Sequence, residues 1–294
     1  MSFTIAHLSD PHLAPTPFPR WRELRLKRFM GFVNWKRGRE RATDMAALAR
    51  LVAVLKAQTP DHIAVTGDVA NIGLPWEHRR AADWLRGLGD PAEVSFTPGN
   101  HDAYVGDSTP SLAAAFAPWT KGDDGLSEFP FLRARGEVAL IGLSSALPTG
   151  PLMATGRLGA DQLMRLADLL AALGREGLFR VVLIHHPPVS RLSQHFKRLI
   201  DAAPLRRIIA RHGAELVLHG HAHVHLLTWL DGPHGRVPAV GVPSASAAAD
   251  PHGDAAAYNL YAIERDGNGW RCEATTRTVG DGALGETGRQ SLSL

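Results

Sequence analysis

The feature that most constrains this chain is an alternation of short apolar runs with segments of helical period. It stops near residue 225 and gives way to strand-like runs alone. Phe3–Leu8 is an apolar run of strand length. Met45, Leu48, Leu51, Val52 and Leu55 then recur at spacings of three and four, which predicts a helix with Thr43 as its cap and Pro60 beyond its end. Strands are predicted at 62–66, 94–97, 138–143, 181–184 and 215–218. Helical segments are predicted at 76–88, around Leu163 to Leu173, and at 205–212. After these, 226–230, 237–242, 258–264 and 270–276 read as strands with no helix between them. Alternating βα units followed by strands predict a mixed sheet system covered by helices. No linker divides the chain and no repeat is visible, so 1–294 reads as one domain.

Five motifs follow directly on predicted strands: Asp10-Pro11-His12, Gly67-Asp68, Gly99-Asn100-His101-Asp102, His185-His186-Pro187 and Gly220-His221-Ala222-His223. In open α/β sheets the loops beyond the carboxyl ends of the strands share one crevice, so residues distant in sequence converge there. The converging groups are carboxylates, an amide oxygen and imidazoles. That donor set suits first-row ions such as Mn, Fe, Zn, Co or Ni. A carboxylate can bridge two ions, and ions about 3.5–4 Å apart activate water and clamp an in-line displacement at phosphorus. Each motif alone has a mundane reading: Asp-Pro-His as an Asx turn, Gly-Asp as a strand ending, Gly-Asn as turn chemistry. The ordered set favours the functional reading.

Taken in order over residues 5–223, Asp-x-His, Gly-Asp, Gly-Asn-His-Asp, His-x-Pro and Gly-His-x-His resemble the calcineurin-like metallophosphoesterase superfamily. The resemblance implies an α/β fold, a four-layer α/β/β/α sandwich of two mixed sheets flanked by helices. It implies two divalent or trivalent metal ions drawn from Mn, Fe, Zn or Co. Asp10, His12, Asp68 and His223 would hold one. Asp68, Asn100, His185 and His221 would hold the other, with Asp68 bridging. It further implies in-line attack on phosphorus by a bridging hydroxide, His101 assisting the leaving oxygen, and Asp102 orienting His101. Residues 67–73 read Gly-Asp-Val-Ala-Asn-Ile-Gly, and the third motif ends in Asp102. Both depart from the protein phosphatase patterns Gly-Asp-x-x-Asp-Arg-Gly and Gly-Asn-His-Glu. They are similar instead to bacterial class III cyclic nucleotide phosphodiesterases and glycerophosphodiesterases. The expected activity is hydrolysis of a small-molecule phosphodiester. A phosphomonoesterase or a nucleotide or lipid pyrophosphatase on the same scaffold is the alternative, and a non-catalytic binding scaffold is a third reading.

Other histidines need sorting. His219, His221, His223 and His225 alternate, so an extended chain would put all four on one face. Gly220 and the family pattern single out His221 and His223, leaving His219 and His225 to packing or support. At the fourth motif His185 is the expected ligand. His186 then turns away, onto a substrate phosphate or a structural hydrogen bond. His62, His78, His195, His212, His234 and His252 carry no motif and read as surface or core residues.

Charge is uneven. The whole chain nets only +3, which predicts no nucleic-acid partner, but residues 20–41 hold nine basic and two acidic residues, a local +7. Trp21, Phe29, Phe32 and Trp35 are interleaved with them. This basic aromatic insert, at about 14–42, has three readings. It is a solvated helix and loop with its aromatics packed on the body. Or it lines the mouth of the site and draws in anionic phosphoesters. Or it lies on an anionic membrane as an interfacial helix, a peripheral contact. Hydrophobic residues at 45% and charged residues at 21% exclude a disordered chain. No apolar run reaches the roughly 18 residues of a membrane span, and the first ten residues show no signal-peptide pattern. One cysteine, Cys272, excludes an internal disulfide. The expected location is therefore the cytoplasm, or the inner face of a membrane if the insert binds one. The polar tail, 281–294, is expected to be disordered or to swap into a homo-oligomer.

Overall fold

The computed structural model describes residues 2–16, 18–189, 192–248, 254–267, 269–279 and 284–293. The opening apolar run forms strand β1 (Phe3–Leu8). Helices α1 (Leu26–Arg37) and α2 (Met45–Ala57) lead to β2 (His62–Val65), and α3 (Pro75–Leu88) leads to β3 (Val94–Phe96). These three strands lie parallel in the order β1-β2-β3. After α4 (Thr109–Phe116) the chain crosses to a second sheet. There β4 (Phe131–Arg135) pairs antiparallel with β5 (Val138–Gly142). Helices α5 (Ala160–Arg175) and α6 (Ala202–His212) link β5 to the parallel strands β6 (Phe179–Leu183) and β7 (Leu216–His219). A hairpin of β8 (Leu226–Asp231) and β9 (Arg236–Gly241) completes it, giving the order β4-β5-β6-β7-β9-β8. The chain then returns to the free side of β1 as a meander of β10 (Ala257–Asp266), β11 (Gly269–Val279) and β12 (Leu284–Ser293).

Side chains alternate across each strand, and here both faces of the central strands are covered. Ile5, Ala64, Val181, Leu183, Leu216, Leu218, Tyr261 and Ile263 fill the space between the sheets. Ala6, Leu8 and Val65 point the other way, onto Leu48, Leu51 and Leu55 of α2 and Leu85 and Leu88 of α3. Val182, Ile184 and Val217 likewise meet Leu163, Leu166 and Leu170 of α5 and Ile209 of α6. The result is the four-layer α/β/β/α sandwich. Cys272 is buried between the sheets and free. Among the described residues, no helix is long and apolar enough to cross a membrane.

Two local expectations are corrected. Asp44, not Thr43, caps α2: its Oδ1 accepts from the backbone N–H groups of Ala46 (2.8 Å) and Ala47 (3.0 Å). Thr43 is instead extended and bridges Ala247. Residues 284–293 are not a loose tail. They pair along β11 from Val279↔Leu284 to Arg271↔Ser293 as an edge strand, with Leu292 anchored in the core. His252 and residues 281–283 and 294 lie outside the described residues.

Candidate metal centre

The carboxyl ends of β1, β2, β3, β6 and β7 meet at one rim. Backbone hydrogen bonds continue past the ladders and lock the loops together. Asp10 N–H donates to Gly67 O (3.0 Å), His12 N–H to Asp68 O (3.1 Å) and Gly220 N–H to His185 O (3.1 Å). Five of the expected ligands take positive φ: Asp10 (53°), His12 (38°), Asp68 (53°), His221 (67°) and His223 (56°). Glycines sit where these residues crowd the backbone. A Cβ at Gly99 would overlap Asp68 Oδ1, and one at Gly220 would overlap Ser9 Oγ and Asp10 Oδ2.

The positive φ values at 221 and 223 show that the chain is not extended there. β7 ends at His219, and the four alternating histidines do not share a face. His223 Nε2 lies 3.1 Å from Asp10 Oδ1, and His12 Nε2 lies 3.3 Å from His223 Nε2. His185 Nε2 lies 3.3 Å from Asp68 Oδ2, and Asp10, Asp68 and His185 present ligand atoms within 4.8 Å of one another. His221 joins His185, their ring centroids 5.1 Å apart. The free nitrogens are set by what the other nitrogens do. His185 Nδ1–H donates to Thr66 O (2.6 Å), leaving Nε2 toward the centre, and His221 Nε2–H donates to Lys197 O (2.9 Å), leaving Nδ1. Metal-binding imidazoles are oriented by such bonds to carbonyls. Asn100 Oδ1 is buried with no hydrogen-bond partner, as is His185 Nε2.

Charge points the same way. Asp10, Asp68 and Asp102 are all buried. Burial works to raise the Asp68 carboxyl, but the charges of His185 and His101 overcome it and hold it well below the usual carboxylate range. Burial works against a charged His185, yet the Asp68 carboxylate pushes it up to about 9. An imidazole is thus recruited as the counter-charge to a cluster of buried carboxylates. The oxygen and nitrogen donors, the orphaned buried atoms and the surplus of negative charge fit a pair of metal ions.

His101 and Asp102 differ from expectation in their partners. His101 Nδ1–H donates to Asn71 O (2.5 Å), and its Nε2 faces Arg39 Nη1 at 2.7 Å. Asp102 does not touch the His101 ring through its carboxylate. Its oxygens accept three backbone N–H groups, from Asp68 (2.9 Å), Ala70 (2.9 Å) and Gly99 (2.8 Å), and so brace the two loops that carry Asp68 and Asn100. Burial and the neighbouring Asp68 charge push its carboxyl up to about 7. Glu77 braces the same loop from the other side, accepting from Asn71, Ile72 and Leu74 N–H. Sequence reasoning missed Glu77 and Arg39. The only signals were a carboxylate in the first turn of α3 and the charge density of the insert.

His186 is a structural residue: its Nδ1 pairs with Ser145 Oγ (2.7 Å) and its Nε2–H donates to Ala154 O (3.1 Å). Both nitrogens are engaged although the ring stands beside His221. His219 is fully buried under the site, Nδ1 against Gly220 O. The insert is not a simple solvated helix. Trp35 is buried and Phe32 packs on Ile72, Leu74 and Tyr104, but Trp21 and Phe29 are exposed. Tyr104 stacks on His101 at 5.5 Å, so α1 sits directly against the site.

Relatives share this architecture. A dimetal phosphatase from Danio rerio superposes with a TM-score of 0.67 over 99% of this chain and 98% of that one, at 12% identity. A purple acid phosphatase from yellow lupin gives 0.65 over 100% of this chain and 54% of that one, at 11% identity. At such identities the likeness speaks for the fold alone. In sequence, a probable cyclic nucleotide phosphodiesterase of a Synechococcus strain is 28% identical over 279 residues, 93% of this chain and 92% of that protein. A cAMP/cGMP dual specificity phosphodiesterase of Mycobacterium tuberculosis is 30% identical over 178 residues, 56% of this chain and 49% of that protein. The calcineurin-like phosphoesterase family model matches residues 3–225, a span that runs from β1 to the last of the five motifs. Motif order, sandwich and family match coincide, and the chain belongs to the calcineurin-like phosphoesterase family.

Proposed function

We propose that the chain hydrolyses phosphodiesters at a dinuclear metal centre. The observation that carries this reading is the convergence of carboxylates and imidazoles from separate loops around Asp10 and Asp68, with the buried Asn100 Oδ1 left unpartnered beside them. Asp10, His12 and His223 would hold one ion, Asn100, His185 and His221 the other, and Asp68 lies between the two sets. When bound, the pair supplies Lewis acidity, lowering the pKa of water and stabilising charge on phosphoryl oxygens. The oxygen and nitrogen donors suit Mn, Fe, Zn or Co. The protein's own groups do the rest. His101 has its Nδ1–H committed to Asn71 O, so Nε2 is the nitrogen turned toward the substrate side. Arg39 shares that face and offers a guanidinium to a phosphoryl oxygen. Asp102 and Glu77 keep the Asp68 loop in its left-handed turn.

The names of the two curated relatives support a diester over a monoester substrate. A cyclic nucleotide, a glycerophosphodiester or a related diester all fall within the reading. A single buried free cysteine accords with a reducing, cytoplasmic setting. The test compares bis-p-nitrophenyl phosphate with p-nitrophenyl phosphate in Mn²⁺, with Asp68→Ala as control. Faster diester cleavage that vanishes in the variant is expected. Faster monoester cleavage would replace the reading with a phosphomonoesterase, and cleavage of neither above the variant's background would overturn it.

A further inference from the structure

The first turn of helix α1 is inverted, whereas Phe32 and Trp35 farther along pack on the body. Its cationic residues Lys27 and Arg28 face inward and are 8% and 1% exposed. Lys27 Nζ donates to Tyr104 O (2.9 Å) and Thr149 Oγ1 (2.7 Å). The Arg28 guanidinium donates to Ile72 O, Gly73 O and Ser108 Oγ and pairs with Asp107. Leu26, Phe29 and Met30, a stripe at i, i+3 and i+4, face outward at 69%, 47% and 36% exposure. A helix lying on a protein body ordinarily does the reverse. Buried cations are tolerated only with full hydrogen bonding, which this helix has, so its outward apolar face is held in place by design of the polar contacts beneath it.

A second, independent feature faces that stripe. Residues 150–153 form a turn closed by Met153 N–H on Gly150 O (3.3 Å). Leu152 occupies its third position with φ 63°, a place that favours glycine or asparagine. It is 86% exposed, so no core contact offsets the strain. Between stripe and turn lies a cavity of about 520 Å³. Phe29, Met30, Leu152 and Met153 line it together with Asn100 and His101, and Arg37, Arg39 and Lys197 add positive charge. Exposed apolar groups and cations in one cavity that reaches an expected metal ligand match an amphiphile with its phosphate at that ligand. The size is that of a small-molecule site.

We propose that this cavity receives the apolar chain of the substrate, which makes the substrate class amphiphilic phosphodiesters bearing a long alkyl or acyl chain. The inference rests on the phosphodiesterase reading above. It is tested with p-nitrophenyl alkyl phosphates from methyl to octyl, each dissolved as monomer, in Mn²⁺. Water's oxygen bonds to phosphorus, and the bond to the aryl oxygen breaks with its electron pair leaving on p-nitrophenolate. The alkyl phosphate remains, and water's protons go to the buffer. Full burial of a methylene gives about fourfold in binding and half-burial about twofold, so kcat/KM is expected to climb about a hundredfold across the series. Phe29→Asp is expected to flatten the octyl-to-methyl ratio. Leu152→Gly, which relieves the strained turn and removes the side chain, is expected to lower that ratio in a protein no less stable. A flat series in which the methyl ester is still cleaved in an Asp68-dependent way overturns the inference and leaves the phosphodiesterase reading standing. Cleavage of no diester overturns both. A flat series that rises only when phosphatidylglycerol vesicles are added assigns the stripe to a membrane surface and overturns the cavity. A kcat/KM for cyclic AMP above that for the octyl ester does the same.

Discussion

Replacing Asp102 by Asn separates two roles for this carboxylate. Asn has nearly the same shape, so no cavity opens and only hydrogen bonding changes. With its one oxygen placed where Oδ2 accepts from Asp68 and Gly99, its amide nitrogen faces the Ala70 N–H. Two donors then confront each other in a fully buried position. Each unsatisfied buried donor costs about 1–3 kcal/mol, so the variant is expected to be less stable by about 2–5 kcal/mol. The loops released carry Asp68 and Asn100, so metal affinity falls with stability, and raising Mn²⁺ is expected to restore turnover. Urea denaturation read alongside a Mn²⁺ titration of bis-p-nitrophenyl phosphate hydrolysis measures both. A variant within about 0.5 kcal/mol of wild type, with full metal content and turnover down about a hundredfold at all Mn²⁺ concentrations, would refute the bracing role and restore a direct one on His101.

Burial lowers His62 from 6.5 to about 3, and its Nε2 pairs with Ser95 Oγ at 2.9 Å, so the folded chain keeps this ring neutral while the unfolded chain takes up a proton near pH 6.5. The term vanishes above pH 6.5 and stability is lost as pH falls toward 3, by about 4–5 kcal/mol in total; His62→Gln should show a shallower decline in unfolding free energy between pH 7 and 4, and an unchanged slope would sink the assignment. Arg133 donates to the carbonyls of Lys121, Pro91, Val94 and Pro118, tying β4 to the end of β3, so Arg133→Met is expected to lose about 3 kcal/mol by urea unfolding and Arg133→Lys to recover only part; equal stability of Met and wild type would contradict this. Arg39→Ala removes the guanidinium beside His101, and KM for bis-p-nitrophenyl phosphate is expected to rise about tenfold with bound metal unchanged, whereas loss of metal would show Arg39 to be structural.

Sequence legibility followed how each element is buried. β2, β5, β6 and β7 are covered on both faces, so each carries a continuous apolar stretch, interrupted in β6 by Arg180, whose guanidinium pairs with Glu215. The loops at their ends were legible because the side chains there are chemically unusual for a turn. β12 was missed because it is an edge strand of polar sequence, LGETGRQSLS, that carries no apolar alternation. The orientation of the first turn of α1 was not legible because its inward residues are cations whose partners, such as Ile72, Tyr104 and Thr149, lie 44 to 122 residues away. Spacing alone could not sort the alternating histidines for a related reason. Period two implies one face only while the backbone stays extended, and His221 and His223 leave that region. Asp102 looked like a partner for His101 by adjacency, but adjacent side chains in a tight turn diverge, and the nearest demands on its oxygens were three backbone N–H groups.

Backbone strain maps the working region independently of any motif. Among the described residues, seven that are not glycine have positive φ. Five are expected ligands, a sixth is Leu152 on the cavity lining, and only Thr59, just past α2, stands apart. Such conformations cost on the order of 1–3 kcal/mol each and persist only where surrounding contacts over-determine them. Around the ligands those contacts are visible. Asp10 N–H is held by Gly67 O and its carbonyl by Ser244 Oγ (2.6 Å), Asp68 N–H is held by Asp102, and His221 N–H is held by Asp10 Oδ2 (2.9 Å). The ligand loops are therefore fixed by one another, and metal ions bound there would not have to order them. Leu152 has one such closure, the turn's own Met153 to Gly150 bond, and is otherwise in solvent. A strained leucine that nothing in the fold stabilises is best explained by what it meets in the bound state. That explanation and the inverted first turn of α1 facing it converge on the same occupant, an apolar chain whose phosphate lies at the metals.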